Sequence, residues 1–128
     1  MKAHVLSIGQ CTADDARLAR MLAVEADAHL DRAISGDDAR RMVGEHNYDL
    51  ILVNRIIECD GSSGVELIAQ WRKDGLATPL MLVSDYPDAH AAAVANGALP
   101  GFGKSMGSPE VGQMMRQVLQ SATNIGIA

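Results

Sequence analysis

The sequence predicts a doubly wound α/β domain built on a five-stranded parallel sheet, and three observations carry that prediction. Short apolar runs alternate five times with segments of helical period. The most apolar run, Leu50-Ile-Leu-Val53, is unbroken, as in a strand buried on both faces. Capping and turn residues punctuate the intervals between runs.

In chain order, His4-Val-Leu-Ser-Ile8 is the first strand and ends at Gly9. Thr12, with Asp15 three residues on, is the expected N-cap of a helix running to about Ala26. His29–Ile34 is a weaker strand candidate. Ser35 and Asp38 repeat the capping pattern ahead of a helix that places Ala39, Met42 and Val43 on one face. After the Leu50–Val53 strand comes a loop, Arg55–Ser62, with turn residues at Asp60-Gly61. Ser63 and Glu66 form a capping box for a helix ending near Gly75. Pro79–Val83 is the fourth strand. Pro87 opens an alanine-rich helix that Gly97 closes. Leu99–Gly103 is a poor fifth strand, broken by Pro100 and two glycines. Ser108 as N-cap and Pro109 at the first helical position start a last helix with Val111, Met114, Met115, Val118 and Leu119 on one face. The expectation is one domain over residues 1–128, with its core at about 3–121 and a frayed tail at 122–128. Its site belongs at the carboxyl ends of the strands.

Composition narrows the function classes. With 48% apolar and 21% charged residues among 128, the chain is ordinary globular material. No apolar run is long enough to span a membrane. Ala3–Ile8 is too short for the apolar part of a signal peptide, so the expected location is the cytoplasm. The net charge of −5 and scattered basic residues argue against nucleic-acid binding, and so do only four aromatics, Tyr48, Trp71, Tyr86 and Phe102. Cys11 and Cys59 make no CxxC pair and the four histidines share no ligand spacing with them, so neither structural zinc nor another cofactor is expected. Both cysteines follow strands, which leaves a redox pair conceivable, although two unrelated thiols are the simpler reading. Ala98-Leu-Pro-Gly-Phe-Gly-Lys-Ser105 resembles a relaxed P-loop. An alanine helix rather than a strand precedes it, and the reading preferred is a glycine-rich turn of the fifth strand.

Five stretches, in this order and spacing, carry a resemblance: Tyr48-Asp-Leu-Ile-Leu-Val-Asn54, Gly64-Val-Glu-Leu67, Pro79-Leu-Met-Leu-Val-Ser84, Asn96-Gly-Ala98 and Gly103-Lys104. From about Ala3 to Ser121 the chain resembles the receiver (CheY-like, flavodoxin-like) domain of two-component response regulators. The resemblance implies that the family's two acidic residues after the first strand fall on Gly9 and Gln10. It places the phospho-acceptor aspartate on Asn54, the switch hydroxyl on Ser84 and the partner lysine on Lys104. The aromatic switch position falls on Gly101, with Phe102 next to it and directed to the other face. Ser105 replaces the family's proline, and the loop after Asn54 is two residues longer than usual.

All three missing groups are carboxylates. Receiver chemistry needs a carboxylate nucleophile and a Mg²⁺ held by carboxylates, and Gly9, Gln10 and Asn54 offer at most neutral carbonyls. No acyl phosphate can form on an amide. Lys104 is expected to turn to the Asn54 carbonyl for want of an anion. The expected function is therefore a stand-alone, non-enzymatic pseudo-receiver that binds a protein in trans, such as a histidine kinase or an adaptor. A homodimer through the fourth helix, fifth strand and fifth helix is a further expectation, with Met106, Met114 and Met115 nearby as a possible recognition surface. Two alternatives stay open. One is a phosphorelay receiver with a displaced metal or acceptor site at Glu58, Asp60 and Asp85. The other is a ligand or nucleotide sensor using the pocket around Gly9, Asn54, Ser84 and Lys104.

Overall fold

A computed structural model describes residues 2–127, with side chains described through Gln120. The frayed tail expected from Ala122 falls outside the residues so described. Five strands alternate with five helices: β1 (Ala3–Ile8), α1 (Thr12–Ala26), β2 (Ala28–Ala33), α2 (Gly36–Glu45), β3 (Leu50–Asn54), α3 (Gly64–Lys73), β4 (Leu80–Val83), α4 (Pro87–Ala95), β5 (Leu99–Phe102) and α5 (Ser108–Ile127). All pairings in the sheet are parallel and the strand order is β2-β1-β3-β4-β5. The order reverses between β1 and β3, which opens a crevice at their carboxyl ends.

The alternation of strand side chains divides the core in two. On one face Val5, Leu50, Leu52, Met81 and Phe102 pack with Leu22 of α1 and Val111, Met115 and Leu119 of α5. On the other, Leu6, Ile8, Ile51, Val53 and Leu82 pack with Ala39 of α2 and with Ile68 and Trp71 of α3. Every residue of β3 is buried, as its central position requires.

Three local readings of the sequence are corrected. The N-cap of α1 is Cys11 rather than Thr12: its Sγ accepts the Asp14 N–H at 3.4 Å. Asp15 does not reach back to complete a capping box, because its side chain turns inward. Strand β2 starts and ends one residue earlier than expected, paired with β1 from Ala3↔Ala28 to Ile8↔Ala33. Ile34 then leaves the sheet, where its N–H meets the Asp38 carboxylate at 3.1 Å. Helix α5 begins at Ser108 itself, with Gly107 in the capping place: its carbonyl accepts the Val111 N–H at 3.1 Å. Ser63 does cap α3 as expected, accepting the Glu66 N–H at 3.2 Å.

Asp15 is buried under α1, where it accepts the Ser7 hydroxyl at 2.6 Å and the Arg32 Nε–H at 2.6 Å. Burial pushes its carboxyl above the ordinary range, against the two hydrogen bonds that lower it. Asp15→Ala strands the fully buried Ser7 hydroxyl and is expected to cost about 2 kcal/mol, read as a lower urea midpoint at unchanged slope. Because the folded pKa is raised, this group's contribution is present below its unfolded pKa and lost as pH rises through the folded one. The deficit of the variant should therefore be largest in acid and shrink toward neutral pH.

Candidate functional site

Four of the positions singled out from the sequence, Gly9, Asn54, Ser84 and Lys104, lie at or just beyond the carboxyl ends of β1, β3, β4 and β5. Gly9 has a left-handed backbone, φ +74°, and donates its N–H to the Ala33 carbonyl at 3.0 Å. A Cβ built on it would stand 2.6 Å from Ile57 Cδ1 and 2.9 Å from Ile57 Cα, closer than real side chains approach. Asn54 is buried and spends its amide as a double donor, to the Gly9 carbonyl at 3.1 Å and the Ile56 carbonyl at 2.7 Å.

The loop between β3 and α3 explains this closeness. It folds back on itself: Ile56 bridges Ser63, the Ile57 N–H bonds the Ser62 carbonyl at 2.9 Å, and the Gly61 N–H bonds the Ile57 carbonyl at 2.8 Å. The Glu58 N–H then reaches the Gly9 carbonyl at 2.9 Å, and Ile57 is left 1% exposed against Gly9. An apolar side chain thus fills the space beside β1 where a side chain on residue 9 would project.

Ser84 is buried, and its hydroxyl accepts the Tyr86 N–H at 3.0 Å. Lys104 corrects the expectation that it turns to Asn54. Its Nζ lies 3.0 Å from Oδ2 of Asp14, in the first turn of α1, and Arg17 pairs with the same carboxylate. Burial alone would raise the Asp14 carboxyl, but hydrogen bonds from Lys104, Cys11 and Arg17 outweigh it and hold it below the ordinary value. The sequence held no signal for this partner, which the packing of α1 beside the β5–α5 turn brings to Lys104 across 90 positions of chain.

Gly101 lies within β5 where the register against β4 shifts, and a Cβ there would stand 2.1 Å from the Leu82 carbonyl oxygen. Phe102 points into the α1–α5 core, as expected. Among the described residues no peptide is cis, so the Lys104–Ser105 bond is trans. The P-loop-like stretch contains strand β5.

The three acidic residues expected as substitutes do not all gather in one place. Glu58 and Asp85 line a cavity of about 210 Å³ together with Asn54, Ser84 and Lys104. Asp60 lines a different one, beside α2 and α3. Hydrogen bonds from the hydroxyl and backbone N–H of Ser62 hold Asp60 below the usual carboxylate range, and Ser105 does the same to Asp85. Cys11 caps α1 and Cys59 is exposed, both as free thiols. Met115 is fully buried core, and of Met106, Met114 and Met115 only Met106 is exposed. Gln10 lies apart from the crevice, lining a second cavity of about 370 Å³ between α1 and the β5–α5 turn. Among the described residues its buried carboxamide has no hydrogen-bond partner at either end.

No protein-family model matches the chain, and no curated protein matches it. Solved structures do. NtrX from Brucella abortus is similar with a TM-score of 0.83 and 16% identity over 98% of this chain, which spans 28% of that protein's length. A putative response regulator from Chloroflexus aurantiacus J-10-fl is similar with a TM-score of 0.83 and 18% identity, covering 94% of this chain and 99% of that one. The receiver domain of the TMAO respiratory system response regulator TorR gives 0.78 and 20%, covering 94% and 98%. The chain has the receiver-domain fold. The (βα)₅ order read from the sequence is the order the structure shows. Among the described residues no helix is long and apolar enough to cross a membrane.

Proposed function

We propose that this chain is an atypical receiver domain of two-component signalling that acts through protein contacts without being phosphorylated. The observation that carries the reading is that Ile57 fills the space beside Gly9 while the Asn54 amide is held by two backbone carbonyls. In receiver terms Asn54 stands in the acceptor position, and its amide is held by two carbonyls rather than presented to a phosphodonor. Gly9 and Gln10 stand in the place of the acidic pair, and the first of these has no room for any side chain. Lys104, the family's charge partner, is committed to Asp14 on α1. A receiver so arranged occupies one state, and its output is the surface that state presents. That surface is offered to a kinase or adaptor in the cytoplasm.

The α4–β5–α5 side suits such contact. Val94 and Leu99 are exposed there, and His90, Ala91, Val94 and Pro100 line a shallow apolar groove. Burial of exposed apolar area is the usual source of affinity at a face of this kind.

Intact mass after incubation with Mg²⁺ and acetyl phosphate tests the reading. The expected spectrum shows the unmodified chain only. One stable added phosphate would overturn the proposal, and its mapping to Asp60, Asp85 or Ser84 would identify the group that took over.

A further inference from the structure

Two of the chain's four histidines meet at the amino-terminal end of the sheet, opposite the crevice. His4 and His29 are register partners on β1 and β2, so their side chains emerge side by side on one face. Asp31, two residues along β2, emerges on that same face. His4 Nε2 lies 2.8 Å from Asp31 Oδ2 and His29 Nε2 lies 3.1 Å from Asp31 Oδ1. The three ligand atoms that His4, His29 and Asp31 offer all lie within 4.8 Å of one another, the one such cluster among the described residues.

We propose that His4, His29 and Asp31 bind one divalent transition-metal ion of the Zn²⁺ class. Two imidazoles and a carboxylate form a donor set that suits Zn²⁺, Ni²⁺ or Cu²⁺ and is too nitrogen-rich for Mg²⁺ or Ca²⁺. Bonds of about 2.0–2.1 Å in a tetrahedron set ligand atoms roughly 3.3 Å apart, so the cluster needs adjustment of only a fraction of an ångström between its nearest members. The fourth position stays open to water.

Two further features point to a ligand. His4 Nε2 is buried and, although near Asp31, has no partner in hydrogen-bond geometry among the described residues. The contact has the distance of an ion pair and lacks the direction of a hydrogen bond; a metal would use that lone pair. Around the cluster stands an outer shell of the kind that orients ligands. The Tyr48 hydroxyl donates to Asp31 Oδ2 at 2.7 Å and its ring lies 4.7 Å from that of His4. The His4 N–H is fixed by the Asp49 carboxylate at 2.9 Å. His29 is largely exposed, which leaves a path for the ion. Reading by spacing missed the site, because strand register brings these residues together across a gap of 25 positions.

Calorimetric titration of the full chain with Zn²⁺, and absorption spectra with Co²⁺, test the proposal. The expected result is one ion per chain, affinity at least tenfold weaker in His29→Ala and in Asp31→Asn, and no change in His90→Ala. His29 supports no core packing, so its variant should fold normally, which circular dichroism verifies. The Co²⁺ spectrum should show tetrahedral intensity without a thiolate charge-transfer band. No binding by the native chain, equal affinity in His29→Ala, or a thiolate band marking Cys11 or Cys59 as the ligand would each overturn it.

Discussion

Asn54→Asp puts a carboxylate at the position we propose as the acceptor equivalent, and it is expected to destabilise the fold by about 3 kcal/mol at neutral pH without creating a phosphorylation site. The native amide donates to the carbonyls of Gly9 and Ile56. An ionised carboxylate has no proton to donate, so the change sets a buried anion against two acceptors at hydrogen-bond distance. The protonated acid keeps one donor and restores one of the two bonds. The introduced group therefore has a folded pKa raised above its unfolded value. Its contribution is present below the unfolded pKa, about 3.9, and lost as pH rises through the folded one. The stability difference from the native chain should accordingly be smallest below about pH 3.9 and grow to its full size toward pH 8, as urea titrations at the two ends would show. A penalty independent of pH would mean that the new carboxylate has drawn Lys104 away from Asp14. In that case Asp14→Asn should make the same substitution less costly.

The element order was legible because each strand of the interior announces itself by its apolar run. β3, with four consecutive apolar residues before Asn54, is the clearest, and the structure buries all of it. β2 was legible only as a weak strand candidate because it is an edge strand: His29, Asp31 and Arg32 interrupt its apolar pattern, and β1 supplies one side of its ladder. The residues of the crevice were legible as a set, since a receiver-like pattern ties each to a strand end. Their partners were not. Asp14 reaches Lys104 across 90 positions of chain, and nothing in either residue's neighbourhood encodes the other. The same holds for Ile57. An isoleucine in a loop with Asp60 and Gly61 reads as an exposed residue of a turn, and only the backbone pairing of Ile56 with Ser63 turns it inward onto Gly9.

That inward turn makes Gly9→Asp the more damaging of the two reversions, with an expected loss of about 4 kcal/mol. One part is the left-handed backbone at φ +74°, which costs an L-residue roughly 1 kcal/mol. The larger part is overlap with Ile57. The Cδ1 atom at 2.6 Å can swing away, but the Cα at 2.9 Å belongs to the backbone. That backbone is pinned by the bonds of Ile57 to Ser62 and Gly61 and of Glu58 to Gly9 itself. Trimming Ile57 to alanine therefore relieves only the side-chain half of the clash, and it opens a void in the core. Removing two residues from the 55–63 loop should do more, since it withdraws the segment that occupies the space. The decisive quantity is the coupling between the two changes. If the loop is what closes the crevice, the doubly altered chain will be more stable than the sum of its single losses by well over 1 kcal/mol in a double-mutant cycle. Strict additivity would instead place the cost of Gly9→Asp in its own backbone rather than in the loop that packs against it.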